Sequence, residues 1–161
     1  PSCGSKENCS EPGINKIMKR KVDFRTLVRA KPERVYDAIA TAKGLDSWFT
    51  TGASVDARAG GTIHFRWKDY GLTNYTGENS GPVLEARRPE RFVFQWKADS
   101  GLYDTTVEID FQSVEEGTIV RLVEYGYEDT PTGIQDFLNR VSGWAEVLTL
   151  MKFFVEHGVT Y

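Results

Sequence analysis

The closing stretch of this chain constrains its fold most. From Ile134 onward, Phe137, Leu138, Val141, Trp144, Ala145, Leu148, Met151, Lys152 and Val155 fall at three- and four-residue spacing. That spacing lays them on one face of an α-helix, so one long amphipathic helix is predicted over Gln135–His157. Gly158 stops it, because glycine readily takes the left-handed turn that ends helices. A wide apolar stripe of this length needs an apolar surface of similar length to cover it.

The preceding sequence supplies that surface in alternating segments. Period-two patterning predicts strands over Lys21–Arg29, Thr62–Lys68, Asn74–Ala86, Arg91–Lys97, Asp104–Val114 and Thr118–Tyr127. On the inward side of these strands lie Ile63, Phe65 and Trp67, then Phe92, Phe94 and Trp96, then Thr105, Val107, Ile109 and Phe111. Short turns at Tyr70-Gly71, Arg88-Pro89-Glu90, Asp99-Ser100-Gly101 and Glu115-Glu116-Gly117 join them into an antiparallel meander. Gly77 and Gly81 sit inside one strand, which is expected to bend there. Between the first two strands, Pro32–Ala42 and Leu45–Phe49 read as short helices separated at Gly44. Helices gathered on one face of an antiparallel sheet make an α+β layer architecture.

Composition narrows the function classes. The 161 residues carry a formal net charge of −3 with charges interspersed, so no basic face exists for nucleic acid. No run approaches the length of a membrane span, and no apolar segment follows a basic start as in a signal peptide. Both cysteines, Cys3 and Cys9, lie in the first ten residues, and a domain otherwise free of cysteine suits a reducing cytoplasm. Residues 1–17 are polar and non-periodic and read as a leader or remnant ahead of a single domain over 18–161, with a lipoprotein tail as the rival reading.

Six segments, in order, resemble the Hsp90-ATPase-activator-homologue-1-like (AHSA1-like) family of the helix-grip, START-like (SRPBCC) superfamily. They are Pro32–Ile39, Leu45–Phe49, Gly60–Phe65, Gly81–Trp96, Gly117–Leu122 and Gly143–Leu148. The resemblance implies a helix-grip (START-like, Bet v 1-like) fold: a curved antiparallel sheet of six or seven strands around a long C-terminal helix, enclosing a deep cavity. It also implies a chaperone partner of the Hsp90 type as one possible role, although no second Hsp90-binding domain is visible in the chain.

The aromatic residues predicted to face inward point to an apolar small-molecule ligand of lipid, polyketide or aromatic type, held between sheet and helix. The expected ligand-binding set is Trp48, Phe49, Phe65, Trp67, Tyr75, Phe94, Trp96, Tyr103, Phe137, Val141, Trp144 and Leu148. For any one of them ordinary core packing is the stronger reading, and the set together points to at least a partial cavity. No catalytic constellation stands out. His64 and His157 are the two histidines, no Gly-x-Ser-x-Gly elbow occurs, and no zinc ligand set or cofactor motif is present. A cyclase or aromatase of the polyketide type is the alternative, needing Glu124, Tyr75 or His64 inside the cavity. Monomer and homodimer both remain open.

Overall fold

The computed structural model describes residues 19–160. The expected leader, with Cys3 and Cys9, lies outside the described residues. β1 (Lys21–Val28) is followed by two helices, α1 (Pro32–Ala40) and α2 (Ala42–Asp46). A strand run follows: β2 (Ser54–Val55), β3 (Thr62–Tyr70), β4 (Tyr75–Arg87), β5 (Arg91–Lys97), β6 (Asp104–Val114) and β7 (Gly117–Tyr125). α3 (Pro131–His157) closes the chain. The strands form one seven-stranded sheet in the order β1-β7-β6-β5-β4-β3-β2, with every pair antiparallel. With α3 lying along it, this is the helix-grip arrangement, and it belongs to the α+β class.

Local chemistry explains the element boundaries, including those that differ from expectation. The break between the short helices is at Thr41, whose backbone is extended (φ −132°, ψ 147°). Its hydroxyl donates to the Asp37 carbonyl at 2.6 Å and accepts from the Gly44 amide at 3.0 Å. A threonine N-cap therefore starts α2, and Gly44 lies inside that helix rather than between the two. A Cβ on Gly44 would sit 1.9 Å from the Asp37 carbonyl oxygen, so glycine lets the two helices close on each other. Leu45–Phe49 is consequently only partly helical. Past α2, Asp46 Oδ1 accepts from Thr50 Oγ1 at 2.6 Å and from the Gly52 and Ala53 amides at 2.8 Å each. This loop holds Trp48 and Phe49 against the core.

α3 starts four residues earlier than the apolar spacing predicts. Thr130 caps it by accepting from the Gly133 amide at 3.0 Å, and Pro131 occupies the first turn, where its missing N–H is harmless. Gly158, at φ 69°, terminates it as expected. The helix buries Trp144, Leu148, Met151 and Val155, whereas Ile134, Leu138 and Ala145 from the predicted stripe are exposed. β7 also ends earlier than expected, at Tyr125. Gly126 turns the chain at φ 105°, and Tyr127 leaves the sheet to meet Phe137 edge-on, with ring centroids 5.4 Å apart. The two-residue strand β2 pairs with β3 and carries no alternation that sequence reasoning could detect.

Around Leu148 and Met151 the space between sheet and helix is filled. Phe65, Phe94, Ile109, Leu122, Trp144, Leu148 and Met151 surround a void of only ≈ 20 Å³. That is about one water-sized sphere, and none of its walls is polar enough to hold a water. Among the described residues, the hollow expected beneath the helix is here reduced to this void, and the larger opening between α3 and the sheet lies toward β4 and the end of β5. The branched and aromatic side chains on the two layers interdigitate instead of standing apart.

Candidate functional site

A different opening arises where the sheet splits. β4 pairs with β3 from Tyr75 to Pro82 but with β5 only from Val83 onward. At Gly81 the strands nearly touch: a Cβ there would lie 1.9 Å from the Gln95 carbonyl oxygen. Ahead of that point the ladder between β4 and β5 stops, and a side chain replaces it. Asn79 Nδ2 donates to the Lys97 carbonyl at 2.9 Å, and the Lys97 amide donates to Asn79 Oδ1 at 3.0 Å. The bend expected from Gly77 and Gly81 is thus a divergence of two strands. α3 passes beside it, and between them lies a half-open cleft of ≈ 730 Å³.

The walls come from three directions. β3 and β4 give Trp67, Tyr75, Glu78, Asn79 and Ser80. The end of β5 and the turn after it give Trp96, Lys97, Ala98, Asp99 and Gly101. α3 gives Asn139, Arg140, Gly143, Trp144 and Val147, a helical stripe, and Phe49 and Tyr70 close one end. Tyr75 is 49% exposed and rests against Trp67, with centroids 5.9 Å apart. A Cβ on Gly77 would come within 2.4 Å of the Tyr75 hydroxyl, so glycine gives that ring room to lie along its own strand. A Cβ on Gly143 would meet nothing within 4 Å.

Beneath the cleft lies a carboxylate. Glu124 of β7 is 0% exposed. Its Oε1 accepts from Trp96 Nε1 at 2.9 Å and Thr105 Oγ1 at 2.6 Å, and its Oε2 accepts from Trp144 Nε1 at 2.5 Å. The Arg140 guanidinium is the counter-charge: its Nε is 3.8 Å from Glu124 Oε1, and its carbon stands 4.1 Å from the Trp96 ring centroid. Arg140 also reaches the Lys97 carbonyl at 2.8 Å and Asp99 Oδ1 at 2.9 Å. Burial, and then the Glu124 charge, push the Tyr127 phenol well above its ordinary range. Glu124 thus fixes the indoles of Trp96 and Trp144, which lie 5.4 Å apart, one from the sheet and one from the helix. With an indole N–H on each oxygen and a hydroxyl on one, it is a positioning group for the two rings.

A second polar anchor fastens α3 to the β5–β6 turn. Asp136 is buried and accepts from the Ser100 amide at 2.9 Å and the Ser100 hydroxyl at 2.8 Å. Burial pushes the nearby Tyr103 phenol up to about 12, with the Asp136 carboxylate adding to the effect.

Of the expected ligand-binding residues, Phe49, Trp67, Tyr75, Trp96 and Trp144 meet at the cleft. Trp48, Phe65, Phe94 and Leu148 surround the small void, which Phe49 and Trp144 also border. Tyr103, Phe137 and Val141 line neither space. His64 stands outside the cleft, with Nε2 3.1 Å from Glu78 Oε2. Sequence reasoning missed Asn79, Lys97, Asp99, Asn139 and Arg140 as lining residues, because polar residues on strand and helix surfaces look solvated until the layers are assembled. Among the described residues no group of His, Cys, Asp and Glu is arranged to hold a metal. No described helix is long and apolar enough to cross a membrane.

The profile of the family described as Activator of Hsp90 ATPase homolog 1-like protein matches residues 29–156. The chain belongs to this family. Its fold recurs in SSP2350 of Staphylococcus saprophyticus, at 22% identity and TM-score 0.71 over 88% of this chain and 96% of that one. It recurs in the Aha1 dimer of Colwellia psychrerythraea, at 24% identity and TM-score 0.69 over 86% and 98%. DynU16, a protein of the dynemicin biosynthetic locus, matches at 16% identity and TM-score 0.71 over 86% of this chain but 48% of its own length. At these identities the likeness is one of fold alone. No curated protein sequence matches the chain.

Proposed function

We propose that this member of the family is a small-molecule-binding protein whose ligand, a flat aromatic or polyketide-type body, lies in the cleft between β4, β5 and α3. The observation that carries this reading is the aromatic-walled opening of ≈ 730 Å³. Its size falls in the range of small-molecule sites, and it combines apolar walls with a few convergent polar groups. The filled interior beneath α3 argues against an enclosed acyl chain. A bound ring would meet Tyr75, the edges of Trp67 and Trp144, and the amide and hydroxyl groups of Asn79, Asn139 and Ser80. The fit of DynU16 to the same fold is in keeping with a role of this kind.

Gly143→Leu supplies the test. It projects a side chain into the open space above the helix without meeting any atom at its Cβ. Native mass spectrometry and thermal shift with a panel of flavonoids and aromatic polyketides should show binding to the parent protein and its loss in the variant. A panel that leaves the melting temperature unmoved, or binding indifferent to Gly143→Leu, would overturn the reading.

A further inference from the structure

Far from the cleft, the sheet ends in a bare edge. β1 pairs with β7 along one side only, and its register there runs unbroken from Lys21 to Val28. Among the described residues no group bonds to the backbone of its other side between Lys21 and Leu27. Edge strands are ordinarily short, bulged, interrupted by proline or covered, because a free edge pairs with any strand it meets. This one has eight residues, no proline and no bulge. We infer that the edge of β1 joins two copies of this chain, strand to strand, about a two-fold axis at Phe24.

The charges of the strand are self-complementary about that point. In an antiparallel pair centred on Phe24, Asp23 of each copy stands opposite Arg25 of the other, Val22 opposite Thr26, and Lys21 opposite Leu27. Two opposite-charge pairs form at once, and such cross-strand pairs stabilise a sheet. Moving the axis one residue either way sets Asp23 on Asp23 or Arg25 on Arg25, which repel. Within one copy Arg25 lacks an anion. It lies directly opposite Arg121 of β7, and Arg121 spends two bonds on Asp23, at 3.1 and 2.9 Å. Among the described residues Arg25 has no ion pair. Asp23 receives those two bonds and Lys21 Nζ at 3.2 Å, while a carboxylate offers about four acceptor sites, so room for a further guanidinium remains.

α3 supplies an independent reason. At about 3.6 residues per turn, Ile134, Leu138, Ala145, Lys152 and Glu156 share one flank of the helix, and Arg140, Gly143 and Val147 of the cleft lie on the other. The first flank is the one toward β1, because Glu156 Oε1 accepts from the Arg29 amide just past that strand at 2.7 Å. Ile134 and Leu138 on it are 38% and 52% exposed, and Ala145 is exposed too. The apolar stripe of α3 is thus wider than its own sheet covers. A two-fold axis at Phe24 turns the flanks of two copies toward each other over the joined strands, with both Phe24 rings beneath them. Sheet edge and helix flank together make one isologous surface.

Sedimentation velocity of the full chain over a range of concentrations tests the pairing. The parent protein is expected to form a reversible dimer at micromolar concentration. Arg25→Glu places an acid opposite Asp23 of the second copy twice over, and should weaken the dimer about tenfold. Inside one copy the same change sets an anion opposite Arg121, so the melting temperature of the dilute protein should hold or rise. Leu138→Glu, on the exposed helix flank, should weaken the dimer as well. The exchange Asp23→Arg with Arg25→Asp restores opposite charges across the axis and should restore the dimer. A parent chain that stays monomeric at high micromolar concentration overturns the inference. So does a dimer whose affinity neither Arg25→Glu nor Leu138→Glu changes, since it then forms through another surface.

Discussion

Glu124 shows how a single buried carboxylate can organise a site by fixing the rings around it. Each carboxylate oxygen receives an indole N–H, Oε1 from Trp96 and Oε2 from Trp144. Replacing Glu124 with Gln is isosteric but puts an NH₂ where one of those donors already points, whichever way the amide is turned. A buried donor facing a donor loses its hydrogen bond and remains desolvated, so Glu124→Gln should destabilise the fold by about 2–3 kcal/mol in chemical denaturation. Thr105→Val, which removes one neutral donor from the same oxygen, should cost about 1 kcal/mol. The alternation of β7 did carry the signal for this residue. Thr118, Val120 and Leu122 are buried, and Glu124 continues their parity. Its partners were not legible, because Trp96 and Trp144 are separated from it by 28 and 20 residues and meet it only after the sheet and α3 are in place.

At the scale of elements, periodicity located the strands and the long helix, and contacts between elements set their ends. Thr130 and Pro131 form an N-cap and first-turn pair that was present in the sequence, but the apolar stripe drew attention to a later start. In β4 the glycines announced a bend, and what it separates, β4 from β5, depends on pairings that no local pattern encodes. Two glycines of α3 show why the same residue needs different explanations. A Cβ on Gly133 would lie 2.1 Å from the Glu128 carbonyl oxygen, whereas one on Gly143 meets open space. Gly143→Ala should therefore stabilise the protein by about 0.5–1 kcal/mol through helix propensity. Gly133→Ala should destabilise it by about 1–3 kcal/mol, because the turn before the helix must move. Denaturation midpoints of the two variants, measured side by side, check the contrast.

For the molecule as a whole, ion pairs that tie elements together make stability depend on pH. Arg121 grips Asp23 across β1 and β7, and Arg88 grips Asp37 of α1 with two bonds of 2.8 Å. Arg91 of β5 gathers Glu85 from β4 and Glu108 and Asp110 from β6, the strands on its two sides. Bonding to Arg121, Arg88 and Arg91 holds Asp23, Asp37 and Glu85 below their ordinary values. Burial raises Glu108, but its bonds to Arg91 and Tyr125 outweigh that and leave it lowered too. A depressed carboxylate contributes stability that is present above its unfolded value, here 3.8 to 4.5, and is lost as pH falls below it. The melting temperature should therefore hold from neutral pH to about 5 and then decline, less steeply in high salt, since most of these pairs are partly exposed. Arg91→Met should lower stability at neutral pH and flatten the acid decline, because the three carboxylates then repel one another until they are protonated. The alkaline side runs in the opposite sense. Burial raises the phenols of Tyr36, Tyr103 and Tyr127, so their contribution is intact below about 10 and fades as pH climbs past it. The phenolate absorbance of these raised phenols should appear together with loss of the far-ultraviolet dichroism, because the phenols around the Glu124 and Asp136 anchors ionise only when the helix leaves the sheet.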